Sequence, residues 1–282
     1  MSVLNILILA VVQGISELLP ISSSAHVILA EKLMGLDPTA PEMTLLLVML
    51  HTGTMLAVIV YFWNSWRSRY FASMPIFRSF AKDLIVATAM TGVIGLTLMQ
   101  VIERLVLGGS GHAEIEQLFG NTTIIASGLT AVGIMIILSA RRAQAPHSLD
   151  TLGFRAAVLI GVVQGLCLPF RGFSRSGSTI STGLFLGLNK ERAEDFSFAL
   201  AVVLTPAVLA KEGYRFLKVH TISASHTGNL VNLVLPDILG MIFSFVAGMI
   251  ALRWLSRWLE KGRWHLFGYY CLFAATVVFI VG

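Results

Sequence analysis

The sequence predicts an all-α integral membrane protein: six transmembrane helices plus two re-entrant helical hairpins, arranged as two inverted-topology repeats. Three observations predict it. The 282 residues are 56% hydrophobic and only 12% charged, with a mean hydropathy of +0.81, whereas a soluble domain carries about 25% charged residues. Six apolar stretches have the length a bilayer core of about 30 Å requires. Two further apolar stretches are interrupted by prolines and charges, and they share a Val-Val-Gln-Gly motif.

The composition excludes a soluble binding module, a disordered chain and a nucleic-acid partner. The net charge of +5 reads first as orientation, because cytoplasmic loops collect basic residues. Cys167 and Cys271 lie far apart in apolar surroundings and imply no disulfide or metal framework. Met1–Asn5 has no basic n-region, so no cleaved signal peptide is expected. The whole chain is read as one membrane domain over 1–282, with repeat one at about 1–140 and repeat two at about 153–282.

The first broken stretch, Val3–Leu33, carries Gln13, Glu17, Pro20 and Ser22–Ser24. Proline removes a backbone donor and clashes with the preceding turn. A carboxylate at bilayer depth costs several kcal/mol unless paired or wetted. Irregular backbone survives there only inside protein or along a water-filled cavity. A re-entrant hairpin satisfies all three constraints. Three spans follow at Thr44–Trp63, Leu84–Ile102 and Thr122–Leu138. The second broken stretch, Ala156–Leu188, carries Gln164, Pro169, Arg171 and Arg175, and reads as a second hairpin. Three more spans follow at Ala193–Leu209, Leu233–Leu255 and Leu266–Val281.

Basic residues follow the first span (Arg67, Arg69, Arg78, Lys82), the third (Arg141, Arg142, Arg155) and the fifth (Arg253, Arg257, Lys261, Arg263). The segment between the second and third spans has Glu103, Glu114 and Glu116 against Arg104 alone. The positive-inside rule then places both termini outside, with the first hairpin entering from the outer face and the second from the inner face. An odd number of spans per unit inverts the second unit. Val11–Ile15 recurring as Val162–Leu166 supports the repeat. Inverted repeats with broken helices place a site near the midplane, where half-helix N-termini point at an anion.

The chemistry lies in the two loops. Gln13 and Glu17 are four apart and share a helix face. Ser23 and His26 start the next half-helix. Carboxylate, amide, hydroxyls and imidazole together suit metal binding, acid–base work or nucleophilic attack. Ser22 and Ser24 also suit a simple helix cap. The second loop offers Arg171, Ser174, Arg175, Ser176, Gly177, Ser178 and Thr179 at a half-helix N-terminus, a phosphate cradle in composition. His51 suits either a cavity-facing position or a helix contact. Lys190–Asp195 reads as a solvated turn and helix cap. Gly240–Gly248 suits pairing in a homodimer or packing within one chain.

These residues resemble the undecaprenyl-diphosphate phosphatase family of the bacitracin-resistance type. Its first motif fits Gln13 and Glu17, its Pro-x-Ser-Ser-x-x-His continuation fits Pro20, Ser22, Ser23 and His26, and its Gly-x-Ser-Arg-Ser-Gly-x-Thr motif fits Gly172, Ser174, Arg175, Ser176, Gly177 and Thr179. A later Phe-Ser-Phe fits Phe196–Phe198. The resemblance covers essentially the whole chain. It implies hydrolysis of a polyprenyl diphosphate carrier lipid to the monophosphate, a bacterial inner-membrane location with a site open to the periplasm, and help from a divalent cation, Mg2+ or Ca2+. The chain departs from the pattern at Pro169–Gly172, which has one extra residue and makes Arg171 a further candidate phosphate ligand.

On this reading the cation sits near Gln13 and Glu17, and the phosphates bind Arg175, Ser22 and the Ser174–Thr179 segment. His26 is favoured as nucleophile or base, with Ser23 orienting. A polyprenyl-phosphate flippase and a phosphatase for another membrane diphosphate lipid are the alternatives, since fold does not decide function.

Overall fold

The computed structural model describes residues 2–36, 41–105, 121–142, 152–222 and 230–281. The expected acidic positions Glu114 and Glu116 lie outside the described residues. Among the described residues the chain is all-helical, with ten helices. These are α1 (Val3–Leu18), α2 (Ser23–Leu33), α3 (Pro41–Arg69), α4 (Met74–Leu105), α5 (Thr122–Arg142), α6 (Phe154–Cys167), α7 (Arg175–Phe185), α8 (Lys190–Ile222), α9 (Leu230–Glu260) and α10 (Trp264–Val281).

Four helices are long and apolar enough to cross a membrane: Leu45–Arg69, Met74–Arg104, Thr122–Arg142 and Leu235–Glu260. They contain four of the six expected spans. α10 is apolar but shorter, over Trp264–Ile280. The remaining expected span lies in α8, a helix of 33 residues that carries Pro206 in its interior.

Both broken stretches fold as helix, irregular turn, helix. α1 stops at Leu18, before Pro20, and α2 begins at Ser23. α6 stops at Cys167, before Pro169, and α7 begins at Arg175, capped by the Ser174 hydroxyl accepting from the Gly177 N–H. Proline cannot continue either first helix. The Ser174 hydroxyl caps α7, whereas Ser22, expected as a possible cap, makes no side-chain cap bond to α2.

Each first helix packs closely along one long helix, with small residues at the contact. A Cβ on Gly14 would lie 2.6 Å from Ala247 Cβ and 2.7 Å from the Ser244 carbonyl of α9. A Cβ on Gly165 would lie 2.8 Å from Ile94 Cβ and 3.0 Å from the Thr91 carbonyl of α4. The two sets correspond residue for residue, since 91, 94 and 95 on α4 match 244, 247 and 248 on α9. The helix packing repeats the pattern, with α1 on α9 and α6 on α4, while α3 packs on α8 and α5 on α10. α1 ends with Leu18 beside Gly248, about midway along the apolar part of α9. Gly240 meets Leu46, Leu50 and Ile6, and Gly248 meets Leu18 and Ala57, so the Gly240–Gly248 stripe packs within the chain.

One end of the bundle gathers the basic residues. Arg69 of α3 pairs with Asp195 of α8 at 2.8 Å and also with Glu191. Ser256 of α9 donates to Glu194 at 2.6 Å, and Lys190 reaches the Glu260 carbonyl at 3.3 Å. Ser65 also donates to Asp195, at 2.9 Å. The expected solvated turn at Lys190–Asp195 is therefore partly buried: Glu194 is 5% and Asp195 2% exposed. Buried carboxylates need partners, and those on α3 and α9 tie three helices together.

Replacing Gly14 or Gly165 with valine is expected to lower the melting temperature of the detergent-solubilised protein by several degrees. Overpacking costs typically about 1–3 kcal/mol, and here the atoms in the way include backbone. Gly92→Ala, whose Cβ meets nothing within 4 Å, is the control and is expected to be neutral or mildly stabilising.

Candidate active site

The turns of the two hairpins meet. Glu17, on the last turn of α1, accepts from Arg175 Nη2 at 2.9 Å across 158 positions of sequence. Its other oxygen accepts from Ser23 Oγ at 2.6 Å and from Gln13 Nε2 at 3.4 Å. His51 Nε2 of α3 lies 3.8 Å from that oxygen, and its Nδ1 donates to the Leu47 carbonyl at 2.8 Å. The side chains of Glu17 and Arg175 are 17% and 24% exposed. Arg175 Nη1 is buried with no hydrogen-bond partner among the described residues. A guanidinium presents five donors in a fixed fork, so one arm grips Glu17 while another is left over.

Backbone geometry brings Ser23 to Glu17. Ser22, just before α2, has φ +68 and is the one positive-φ non-glycine among the described residues. A β-carbon at such φ is strained, and strain of this kind gathers at functional sites. On the other side, Gly172 has φ +93, and a Cβ there would run into the Ile125 carbonyl of α5. Only glycine fits that place. It sets the turn that delivers Ser174 and Arg175 to the start of α7.

The candidate residues divide into two groups. Gln13, Glu17, Ser23 and Arg175 form one connected cluster. Ser176 closes beneath it, donating to the Leu19 carbonyl at 3.3 Å, with Ser174 Oγ 3.4 Å away. Ser22 Oγ lies 3.3 Å from Ser24 Oγ. Gly177 supplies the N–H that Ser174 caps. Ser178 and Thr179, both 0% exposed, turn inward. Ser178 bonds the Arg175 carbonyl at 3.0 Å and stands 3.0 Å from Cys167 Sγ. Thr179 bonds the Arg175 carbonyl at 2.8 Å and Ser197 Oγ at 2.6 Å. Ser197 is the centre of the Phe-Ser-Phe motif, which thereby braces α7 on α8. Arg171 interacts electrostatically with Glu31 of α2.

His26 stands apart from Glu17. Its Nδ1 contacts the Ser22 carbonyl at 2.8 Å and its Nε2 the Tyr270 hydroxyl at 2.7 Å. A carbonyl only accepts, so Nδ1 carries the hydrogen. In the neutral ring Nε2 then accepts from Tyr270, whose ring stacks on the imidazole at 5.7 Å. The sequence reading missed Tyr270: a tyrosine in an apolar span carries no signal of its own.

The donor set suits a hard divalent cation only in part. Gln13 and Glu17 supply an amide and one carboxylate. Among the described residues no cluster of three His, Cys, Asp or Glu could hold a metal ion. Mg2+ is commonly bound by one or two carboxylates plus substrate phosphates, so these residues fit a cation completed by substrate oxygens.

The family model described as bacitracin resistance protein BacA matches residues 6–277. Undecaprenyl-diphosphatase 2 of Acinetobacter baylyi is 58% identical over 280 residues, covering 99% of this chain and 97% of that protein. Undecaprenyl-diphosphatase of Anaeromyxobacter sp. is 34% identical over 267 residues, covering 95% and 84%. That of Methanosphaera stadtmanae is 30% identical over 301 residues, covering 100% and 98%. The match runs through both turns and every helix between them, and the chain belongs to the BacA bacitracin-resistance family.

Proposed function

We propose that this protein hydrolyses undecaprenyl (C55 polyprenyl) diphosphate to undecaprenyl phosphate and inorganic phosphate, recycling the carrier lipid for peptidoglycan synthesis and conferring bacitracin resistance. The observation that carries the chemistry is the Ser23–Glu17–Arg175 chain, with Arg175 Nη1 unpartnered. A hydroxyl 2.6 Å from a carboxylate is a nucleophile with its base. An arginine with a spare buried donor is a phosphate ligand in waiting.

The substrate's terminal phosphate meets Arg175 and the N-terminus of α7. Arg175 turns part of its fork from Glu17 to phosphate oxygens, and Glu17 becomes freer to accept a proton. Ser23 Oγ bonds to the terminal phosphorus, and its proton passes to Glu17 and on to the lipid monophosphate as the bond to that leaving oxygen breaks. Water then attacks the phosphoserine, Glu17 takes its proton and returns it to Ser23 Oγ as the Oγ–P bond breaks, and phosphate leaves with Ser23 restored. Phosphoryl transfer asks mainly for placement and charge stabilisation. A divalent cation held by Gln13, Glu17 and substrate oxygens would neutralise phosphate charge.

This reading gives Ser23 the nucleophilic role that the sequence alone assigned more readily to His26, because Ser23 touches Glu17 while Nε2 of His26 is engaged by Tyr270. His26 and Tyr270 instead supply acid–base help one helical turn away. His26→Ala is expected to lower kcat by about 10²-fold, and Tyr270→Phe by less. Both are read from phosphate release.

In the membrane, α1–α2 and α6–α7 are two opposed re-entrant hairpins beside six crossing helices, α3, α4, α5, α8, α9 and α10, in two inverted repeats. The matched Gly14 and Gly165 contacts and the gathering of basic residues at one end support this arrangement. With that end cytoplasmic, the first hairpin enters from the periplasm and the site opens there.

Phosphate release from undecaprenyl diphosphate by the purified protein, with and without Mg2+, tests the function. Release that requires Glu17 and Arg175 upholds it. No release from a folded, lipid-supplemented sample, together with transbilayer movement of polyprenyl phosphate in vesicles, overturns it in favour of a carrier.

A further inference from the structure

The basic end of the bundle treats its charges in two ways. Arg69 is paired with Asp195 and Glu191. Arg192 lies over the Tyr70 ring at 5.4 Å, and Lys190 is fixed to the Glu260 carbonyl. The acids Glu194 and Asp195 are engaged by Ser256, Ser65 and Arg69. The last turns of α9 differ. Arg253 and Arg257 of α9, and Lys261 in the turn directly after it, recur every fourth residue and are all exposed. Among the described residues no carboxylate lies within ion-pair distance of them, and exposed Glu260 on the same helix forms no such pair.

The three cations line a groove of about 450 Å³ with Ile250, Trp254 and Trp258. The two tryptophans meet edge to face, 5.0 Å apart, and Trp258 is anchored on Phe267 at 5.2 Å. Towards the middle of the helix the same side continues as Ile242, Val246 and Ile250, which are 48%, 48% and 61% exposed. An apolar ridge thus leads straight into an aromatic and cationic groove. That is the order of chemistry along an amphiphile: chain, interface, anionic head.

We propose that this groove is a binding site for an anionic phospholipid of the leaflet at the basic end. Its headgroup phosphate sits among Arg253, Arg257 and Lys261. Its glycerol region lies against Trp254 and Trp258, and one acyl chain runs along Ile250, Val246 and Ile242. Free phosphate matches only the first third of this surface. A soluble protein partner does not match the lipid-facing isoleucines.

The test is lipid retention by the full chain. Native mass spectrometry of the detergent-released protein compares diacyl phosphatidylglycerol with phosphatidylcholine of the same chains. Retention of phosphatidylglycerol is expected to be at least tenfold tighter. Each cation near an anionic lipid surface is worth about fivefold, so Arg253→Gln/Arg257→Gln/Lys261→Gln is expected to abolish the preference while melting temperature and phosphate release stay as in the parent. Arg257→Gln alone, expected to lose about fivefold, serves should the triple variant not fold. Equal retention of the two lipids, or an unchanged preference in the folded variants, overturns the proposal. Displacement by millimolar inorganic phosphate also overturns it, by showing a plain anion site.

Discussion

Replacing Ser23 with alanine is expected to reduce undecaprenyl diphosphate hydrolysis by roughly 10⁴-fold or more, comparable with removal of other activated serine nucleophiles. Glu17→Gln is expected to cost about 10²–10⁴-fold, the usual contribution of a positioned base. The two losses are not independent. Ser23 Oγ and Glu17 Oε2, 2.6 Å apart, act as one unit, and effects of such units are far from additive. The double variant should therefore be little worse than Ser23→Ala alone. A rapid-quench measurement with terminally labelled substrate checks the chemistry: the parent should carry label on Ser23, and the alanine variant on nothing. Label on His26 would reverse the assignment of roles.

The placement of these groups was readable from the sequence where the membrane made polarity expensive. Glu17 and Arg175, lying in apolar stretches, demanded a partner, and each is the other's, at 2.9 Å. The helix breaks at Pro20 and Pro169 follow from the missing donor and the ring clash. The four long apolar helices follow from hydropathy alone. The repeated Val-Val-Gln-Gly motif marked equivalent positions, and its glycines do equivalent packing against α9 and α4.

What the sequence did not show depends on side-chain direction. The second loop is rich in hydroxyls, which in composition looks like a cradle. Yet on a helix every residue turns by about 100°, so only some can face the turn of the other hairpin. Ser178 and Thr179 fall on the inward side and bond their own backbone, Cys167 and Ser197. Likewise His26 lies one turn beyond Ser23, but its ring reaches α10 and Tyr270, 244 positions away. The Lys190–Asp195 charges looked like a solvated turn and helix cap, yet Ser65, Arg69 and Ser256 engage two of them in the interior. Such pairings depend on which helix passes nearby, which periodicity within one helix cannot report.

Arg175→Ala is expected to lower kcat/KM by about 10³–10⁵-fold, the range for an arginine that stabilises a transferring phosphoryl group. It should also destabilise the protein, because it strands the Glu17 carboxylate, 17% exposed, without its cation. Breaking one side of a buried pair costs about 3–5 kcal/mol, and partial exposure puts this site at or below the lower figure. The double variant Glu17→Gln/Arg175→Ala removes both charges, so most of the lost melting temperature should return while activity stays absent. That separation is the point of the experiment: stability follows the pairing of charges, and turnover follows the guanidinium itself. Arg175→Lys sharpens it. A lysine keeps the charge and can restore stability beside Glu17, but it lacks the fork that binds carboxylate and phosphate together. It should therefore remain at least about tenfold below the parent in kcat/KM. Full activity in Arg175→Lys would mean that only a point charge is needed, and that the spare Nη1 donor has no part in holding the phosphate.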